Sequence, residues 1–248
     1  MNDQDLEARI RSRLGEPASK RRYVRALFGR IAPRYDLTND VMSLGRHRRW
    51  KRLALELAEV RAGHVVLDLA AGTGDFALRA SRVEPRARLV AADLTSAMLR
   101  HGRARRGADR VCWVQCDATS LPLPDEAVDR VLIGYGLRNF PDLGLCLAEI
   151  RRCLRKGGRV VSLDFGRVEP AWLDRIYLRY LELSAGLAGW LLHRDVESYR
   201  YIPESLRQYP PQSAVTDLMQ HLGFVRCGHI DLVFGAMAIH FGEVPART

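Results

Sequence analysis

Lysine is almost missing from this chain of 248 residues: only Lys20, Lys51 and Lys156 occur, so the 39 basic residues are nearly all arginine. Cysteine is sparse too. The five cysteines (Cys112, Cys116, Cys146, Cys153 and Cys227) form no C-x-x-C pair, and an odd count argues against a closed disulfide framework. Cys112 and Cys116 fall on one expected strand, where their Cα atoms stand about 13 Å apart, beyond disulfide reach. Reduced thiols of a cytosolic protein are the reading that fits. The opening MNDQDLEARIRSR has no apolar signal-peptide core. The longest apolar run, Leu183–Leu192 with Ser184 inside it, is half of the roughly 20 residues that span a bilayer. These absences predict a soluble, cytoplasmic chain. Repeats and low-complexity segments are missing as well, and the histidines at 47, 64, 101, 193, 221, 229 and 240 are too scattered for metal-ligand spacing. No metal is expected.

What is present is a globular composition, 47% hydrophobic and 27% charged, which excludes wholesale disorder. The length suits one α/β domain, or a domain with a subdomain. Formal net charge is +10, and it is lopsided: residues 1–52 hold 14 basic and 6 acidic side chains, the remainder 25 and 23. A basic end suggests an anionic partner, whether nucleic acid, a membrane surface or an acidic substrate.

Val24, Leu27, Phe28 and Ile31 follow helical spacing until Pro33 breaks it. Trp50, Leu53 and Leu57 start a second helix that ends near Gly63. Residues 1–62 therefore read as an N-terminal helical extension or lid, and residues 63–248 as the core. From His64 the rhythm is strand–helix–strand. Strands are expected at His64–Leu69, Arg88–Leu94, Val111–Asp117, Val128–Gly134 and Arg159–Phe165, with helices at Asp75–Ser81, Ser96–Arg105 and Leu143–Leu154. Near-continuous apolar strands between helices predict a doubly wound, mostly parallel α/β sheet. A helical, aromatic-rich stretch, about 169–211, reads as a cap inserted over the carboxyl edge of the sheet. A helix at Ser213–Leu222 and strands at Val225–Leu232 and Ala236–His240 follow.

The first strand runs into Ala70-Ala71-Gly72-Thr73-Gly74-Asp75. Its glycines permit a tight turn and close backbone approach of a ligand. With Ala77 the segment also satisfies G-x-G-x-x-A, the dinucleotide pattern. Asp68 and Asp75 flank the place where a pyrophosphate would need the helix N-terminus, so the local charge argues against it. A ligand bearing ammonium and sulfonium, S-adenosylmethionine, is favoured. Asp93, at the end of the second strand, stands where a carboxylate accepts from ribose hydroxyls. Asp117, ending the third beside Ala118, suits an adenine amino group.

These residues resemble the donor-binding motif of class I methyltransferases. More of the chain resembles the ubiquinone/menaquinone biosynthesis C-methyltransferase family. Phe28-x-x-Ile31-Ala32-x-x-Tyr35-Asp36, Asn39-Asp40-x-Met42-Ser43-x-Gly45 and Arg48-x-Trp50-Lys51-Arg52 are similar to its N-terminal signature. Gly136-Leu137-Arg138-Asn139 is similar to its second, and Ser198-Tyr199-Arg200-Tyr201 with Glu204-Ser205 to its third. Ala71 stands where glycine is common, and His193-Arg194 replaces a more usual Asn-Asp. The resemblance implies a seven-stranded sheet with an antiparallel last strand. It implies methylation of a ring carbon on a polyprenylated quinol, either a demethylmenaquinol or a 2-methoxy-6-polyprenyl-1,4-benzoquinol. Donor contacts are implied at Tyr35, Asp68, Gly72, Thr73, Gly74, Asp93, Asp117 and Ala118, under a lid formed by the N-terminal segment.

Methyl transfer to an aromatic carbon needs a phenolate, alignment of the ring at about 3–3.5 Å from the methyl group, and removal of the ring proton. Arg138 is expected to stabilise the phenolate or polarise a water, since a guanidinium is not itself a base. Asn139 is expected to orient the ring or a water. Tyr135 and Tyr201 are candidates to touch the quinol hydroxyls, and His240 to relay a proton. A membrane-surface contact through the N-terminal arginines, worth about 1 kcal/mol per charge, suits a lipid-soluble acceptor. Methylation of another small aromatic or lipid substrate is an alternative, and nucleic-acid methylation is disfavoured because no RNA-binding module is visible. Whether the chain forms a homo-oligomer stays open.

Overall fold

A computed structural model of the chain describes residues 10, 12–43, 45–192 and 196–246. The His193-Arg194 departure lies outside the described residues, as do residues 1–9 of the extension. Among the described residues, the extension holds α1 (Pro17–Ile31), α2 (Tyr35–Ser43) and α3 (His47–Ala58). The core then runs β1 (Val65–Leu69), α4 (Asp75–Val83), β2 (Arg88–Asp93), α5 (Ser96–Arg103), β3 (Val111–Gln115), β4 (Val128–Gly134), α6 (Leu143–Cys153) and β5 (Leu154–Phe165). After it come α7 (Ala171–Leu192), α8 (Val196–Gln208), α9 (Gln212–His221), β6 (Val225–Leu232) and β7 (Met237–Glu243).

The seven strands form one sheet in the order β3-β2-β1-β4-β5-β7-β6. β1 to β5 are parallel, while β7 runs antiparallel to both β5 and β6. The doubly wound expectation holds, with the antiparallel strand in the position that the resemblance implied. β5 starts five residues earlier than the apolar pattern suggested. Gly157, at φ +74°, turns the chain back so that Val128 still pairs with Leu154. Helix α2 was not anticipated, because YDLTNDVMS lacks a helical apolar stripe.

The period-2 alternation of strand side chains sends neighbouring residues to opposite cores. Leu67, Leu69, Val131 and Ile133 pack with Leu147 and Ile150 of α6 and Val215 and Met219 of α9. Val66, Leu132, Val161 and Leu163 pack with Ala54 and Leu55 of α3 and Phe76 and Ala80 of α4. A third cluster joins Tyr23, Val24 and Leu27 of α1 to Tyr201 of α8. The N-terminal helix is thus anchored to the insertion between β5 and α9. All five cysteines are free. No helix among the described residues is long and apolar enough to cross a membrane.

Candidate active site

Strand order reverses between β2-β1 and β4-β5, and a crevice opens at the carboxyl ends of β1 and β4, as such topology dictates. It encloses about 650 Å³ of empty space, part of it open to solvent. Ala70 and Gly72 after β1, Asp93 and Leu94 after β2, Asp117 and Ala118 after β3, and Gly134 to Gly136 after β4 form its floor and walls. Val24, Phe28 and Tyr35 from the N-terminal segment close it from above, and Asn139 and Phe140 bound one end.

The turn after β1 needs its glycines. Gly72 sits at φ +57°, and a Cβ there would lie 3.6 Å from the Tyr35 ring. Gly74, at φ +74°, abuts Trp113 so closely that a Cβ would fall 2.4 Å from the indole. Ala70 (φ +53°) and Tyr135 (φ +61°) also adopt the left-handed conformation, which costs a residue with a side chain of order 1 kcal/mol or more. Both line the crevice. Backbone strain is therefore present where β1 and β4 deliver their ends to the site.

Two carboxylates face this space. Asp93 accepts from the Gly72 amide at 2.8 Å and the Thr95 amide at 2.7 Å. Burial raises its pKa, and these two bonds oppose the rise. A carboxylate offers about four lone-pair sites, so acceptor capacity remains for ligand hydroxyls. Asp117 accepts from the amide and hydroxyl of Thr119 at 2.9 and 2.8 Å, and Arg21 Nε of α1 reaches its other oxygen at 2.8 Å. Strand-end acceptors with apolar walls from Leu94 and Met98 fit a nucleoside carrying hydroxyls and a cationic group. These side chains fit S-adenosylmethionine.

Of the residues expected at the donor, Tyr35, Gly72, Asp93, Asp117 and Ala118 line the crevice, while Asp68, Thr73 and Gly74 stand behind the turn. Asp68 is 2% exposed and accepts from the Ala77 amide at 2.8 Å, which pins the start of α4. Asp75 bonds Lys51 at 2.7 Å and Arg79 at 3.0 Å. Burial opposes its ionisation, but Lys51 and Arg79 prevail and hold its carboxyl well below the usual range. The acids expected to set the charge beside the turn are thus consumed internally, and Asp93 and Asp117 set it instead. Thr73 is 3% exposed; its hydroxyl donates to Asp36 at 2.8 Å, and Arg105 donates to it at 3.1 Å. That bond and Arg21–Asp117 latch the N-terminal helices onto the core. Within the first signature, Arg48 bonds Asp40 at 2.9 Å and Ser43 bonds His47 at 2.7 Å, which braces the α2–α3 corner.

Burial pushes the Asp68 carboxyl up to about 7. A carboxyl raised from 3.8 binds more protons folded than unfolded between pH 4 and pH 7, so its ionisation destabilises the fold increasingly over that window. Asp68→Asn retains an acceptor for Ala77. Its thermal midpoint is expected to gain on that of the wild type as pH rises from 4 to 7 and to hold the lead above, as read by calorimetry across pH.

Among the expected catalytic residues, Asn139 lines the crevice and Arg138 and Tyr201 support it from behind. Arg138 is 5% exposed and ion-paired at 2.6 Å with Asp164 of β5, itself fully buried. Arg138 Nη1 and Asn139 Nδ2 each donate at 2.9 Å to the carbonyl of Tyr135. The Tyr201 hydroxyl donates to Asn139 Oδ1 at 2.7 Å, and its ring packs on Tyr23 and Phe28 at 5.7 and 6.5 Å. Three side chains therefore hold the strained Tyr135 peptide in place. Tyr135 itself lines the crevice, whereas His240 is buried in the sheet, against the carbonyl of Gln212. Asp164 went unnoticed in the sequence, although a carboxylate inside the apolar strand VVSLDF signals a buried partner. Arg21 and Asp36 were hidden among the many charges of the extension.

Comparison with known proteins places this geometry in context. Ubiquinone/menaquinone biosynthesis C-methyltransferase UbiE of Methylococcus capsulatus is 42% identical over 228 residues, covering 90% of this chain and 92% of that protein. The Xylella fastidiosa (strain M12) protein of the same name is also 42% identical, with 90% of each chain covered. Among solved structures, a methyltransferase in complex with the Haloferax volcanii Trm112 activator shares the fold at a TM-score of 0.64 and 18% identity, covering 88% of this chain and 97% of that one. The model of the ubiE/COQ5 methyltransferase family matches residues 17–244, and the chain belongs to that family.

Proposed function

We propose that this protein transfers a methyl group from S-adenosylmethionine to a ring carbon of a polyprenylated quinol in respiratory quinone biosynthesis. The observation that carries the reading is the reach of the family match: it starts at residue 17 and so takes in α1 and α2, which roof the crevice, as well as the sheet common to many methyltransferases. The donor, when bound, supplies an electrophilic methyl on a sulfonium. Asp93 would accept from its ribose hydroxyls, and Asp117 and Ala118 would hold its adenine. Val24 and Phe28 exclude water above, and the Arg138–Asn139–Tyr201 network fixes Tyr135 and Asn139 against the acceptor ring. Fixed groups around the site orient the ring without reorganising as charge moves.

Incubation with S-adenosylmethionine and, separately, reduced demethylmenaquinol and reduced 2-methoxy-6-polyprenyl-1,4-benzoquinol tests this. At least one is expected to gain a methyl by mass spectrometry; gain by neither, or methylation of RNA instead, counts against the reading.

A lipid acceptor calls for access to a membrane, and α7 favours it. Leu178 and Leu181 turn inward, whereas Trp172, Ile176, Tyr180 and Leu183 recur along the opposite face, each more than half exposed. Arg175 and Arg179 are exposed beside them. An apolar stripe with tryptophan and flanking arginines suits the interface of an anionic bilayer. Binding to anionic vesicles at low salt is expected to weaken in Trp172→Ser/Tyr180→Ser; equal binding by that variant would exclude this face.

A further inference from the structure

Strands β6 and β7 are joined by a turn whose residues suit neither its backbone nor its exposure. Val233 and Phe234 adopt φ +53° and +56°, and Gly235 follows at +89°. The Ala236 amide donates to the Val233 carbonyl at 3.1 Å, closing a turn with Phe234 and Gly235 at its centre. Positive φ at both central residues is the type I′ pattern, which favours asparagine or glycine at the place held by Phe234. A valine or phenylalanine in this conformation is strained. Phe234 is 87% exposed, so packing of its ring does not offset the strain.

The base of the turn is clamped. Gln212 donates to the carbonyls of Arg167 and Gly235 at 2.9 and 3.2 Å and accepts from the Arg167 amide at 3.0 Å. The Tyr177 hydroxyl of α7 donates to the Ala236 carbonyl at 3.0 Å. A fixed base thus holds an apolar tip in solvent, next to the helix whose outer face carries Trp172, Ile176 and Tyr180. Phe165, at the carboxyl end of β5, pairs with Met237, which pairs in turn with Leu232. Because β1, β4 and β5 are parallel neighbours, the turn stands at the edge of the sheet on which the crevice opens. Two nearby carboxylates are engaged, Asp231 by Gln212 at 3.0 Å and Asp174 by Arg167 at 2.6 Å, while Arg175 and Arg179 are exposed on α7. An uncovered apolar tip beside cationic side chains matches a bilayer, with anionic headgroups at its surface and acyl chains beneath.

We propose that the tip formed by Val233 and Phe234 inserts into an anionic phospholipid bilayer and, with the outer face of α7, turns the mouth of the crevice to the membrane. The inference builds on the lipid-acceptor reading above. A helix alone makes one line of contact, about which the protein is free to roll. A second contact off that line fixes the tilt. An acceptor held in the bilayer by its prenyl tail then meets the edge of the sheet where the methyl donor binds. The tip keeps residues that are poor for its turn because an apolar side chain is what the contact needs.

Phe234→Asn is the test, because it gives the turn its preferred residue. Its Tm is expected to equal or exceed that of the wild type. Binding to quinol-free vesicles of phosphatidylglycerol and phosphatidylcholine, read by cosedimentation, should weaken roughly tenfold, the loss of a buried phenylalanine side chain. Phe234→Leu keeps an apolar tip and should bind as the wild type does. With quinol dispersed in the vesicles, Phe234→Asn should raise KM, while kcat on a short-tailed quinol in solution is unchanged. Undiminished vesicle binding by Phe234→Asn overturns the proposal. So does a lower Tm, which would show that the ring packs within the fold. A wild-type dimer that Phe234→Asn splits would assign the tip to a second copy of the chain and overturn it too. If the wild type methylates neither quinol, the acceptor reading fails on its own, and the quinol-free vesicles still decide whether the tip binds lipid.

Discussion

Asp93→Ala is expected to weaken binding of S-adenosylhomocysteine by roughly 100-fold or more, measured by calorimetric titration. The carboxylate stands at the end of β2 on the crevice wall, and it also accepts from the Gly72 amide. A hydrogen bond to a charged group contributes about 1.5–3 kcal/mol, and each 1.4 kcal/mol is a factor of ten. Two ribose hydroxyls therefore account for that loss, and the freed Gly72 amide adds a looser turn. Asp93→Asn keeps an acceptor oxygen and should lose less. An alanine variant that binds within threefold of the wild type would remove Asp93 from the donor site.

The second large effect concerns the ion pair beneath Asn139. Arg138→Met strands Asp164, whose carboxylate is fully buried and accepts from Arg138 Nη1, the Arg138 amide and the Phe165 amide. Removing one partner of a buried pair costs about 3–5 kcal/mol, because the other charge is left without compensation. In a chain of this length that lowers Tm by roughly 10 °C. Arg138→Met/Asp164→Leu removes both charges and is expected to recover most of the lost stability. Turnover should not return, because Arg138 Nη1 no longer holds the Tyr135 carbonyl. Recovery of activity in the double variant would show that the arginine only neutralises Asp164. Full stability of Arg138→Met would contradict the burial argument itself.

Strand-end acids and glycines were legible because the chemistry of a parallel sheet is local: Gly72, Asp93 and Asp117 each stand at a turn that a short stretch of sequence announces. The supports were not. Asp164 lies 26 residues beyond Arg138, and Asp36 latches Thr73 from 37 residues away. No local periodicity links such pairs, so Arg138 read as a group facing the acceptor when its guanidinium turns into the sheet. Asp68 and Asp75 read as charges beside a ligand for the same reason: Lys51, which neutralises Asp75, belongs to a helix 24 residues earlier. In α7, Leu173, Ile176, Tyr177, Tyr180 and Leu181 recur at helical spacing, but spacing alone does not say which of them turn outward. The structure divides them, with Leu181 inward and Ile176 and Tyr180 outward.

In the basic N-terminal segment Arg21 bonds Asp117 at the edge of the crevice, whereas Arg22, Arg25 and Arg30 are exposed. Carbon methylation is the claim on which the whole account depends. Single turnover with donor labelled with carbon-13 in its methyl group, a reduced quinol and carbon NMR of the product tests it most directly. The account predicts one labelled methyl bonded to a ring carbon. A label on oxygen, or none in either quinol, would contradict it.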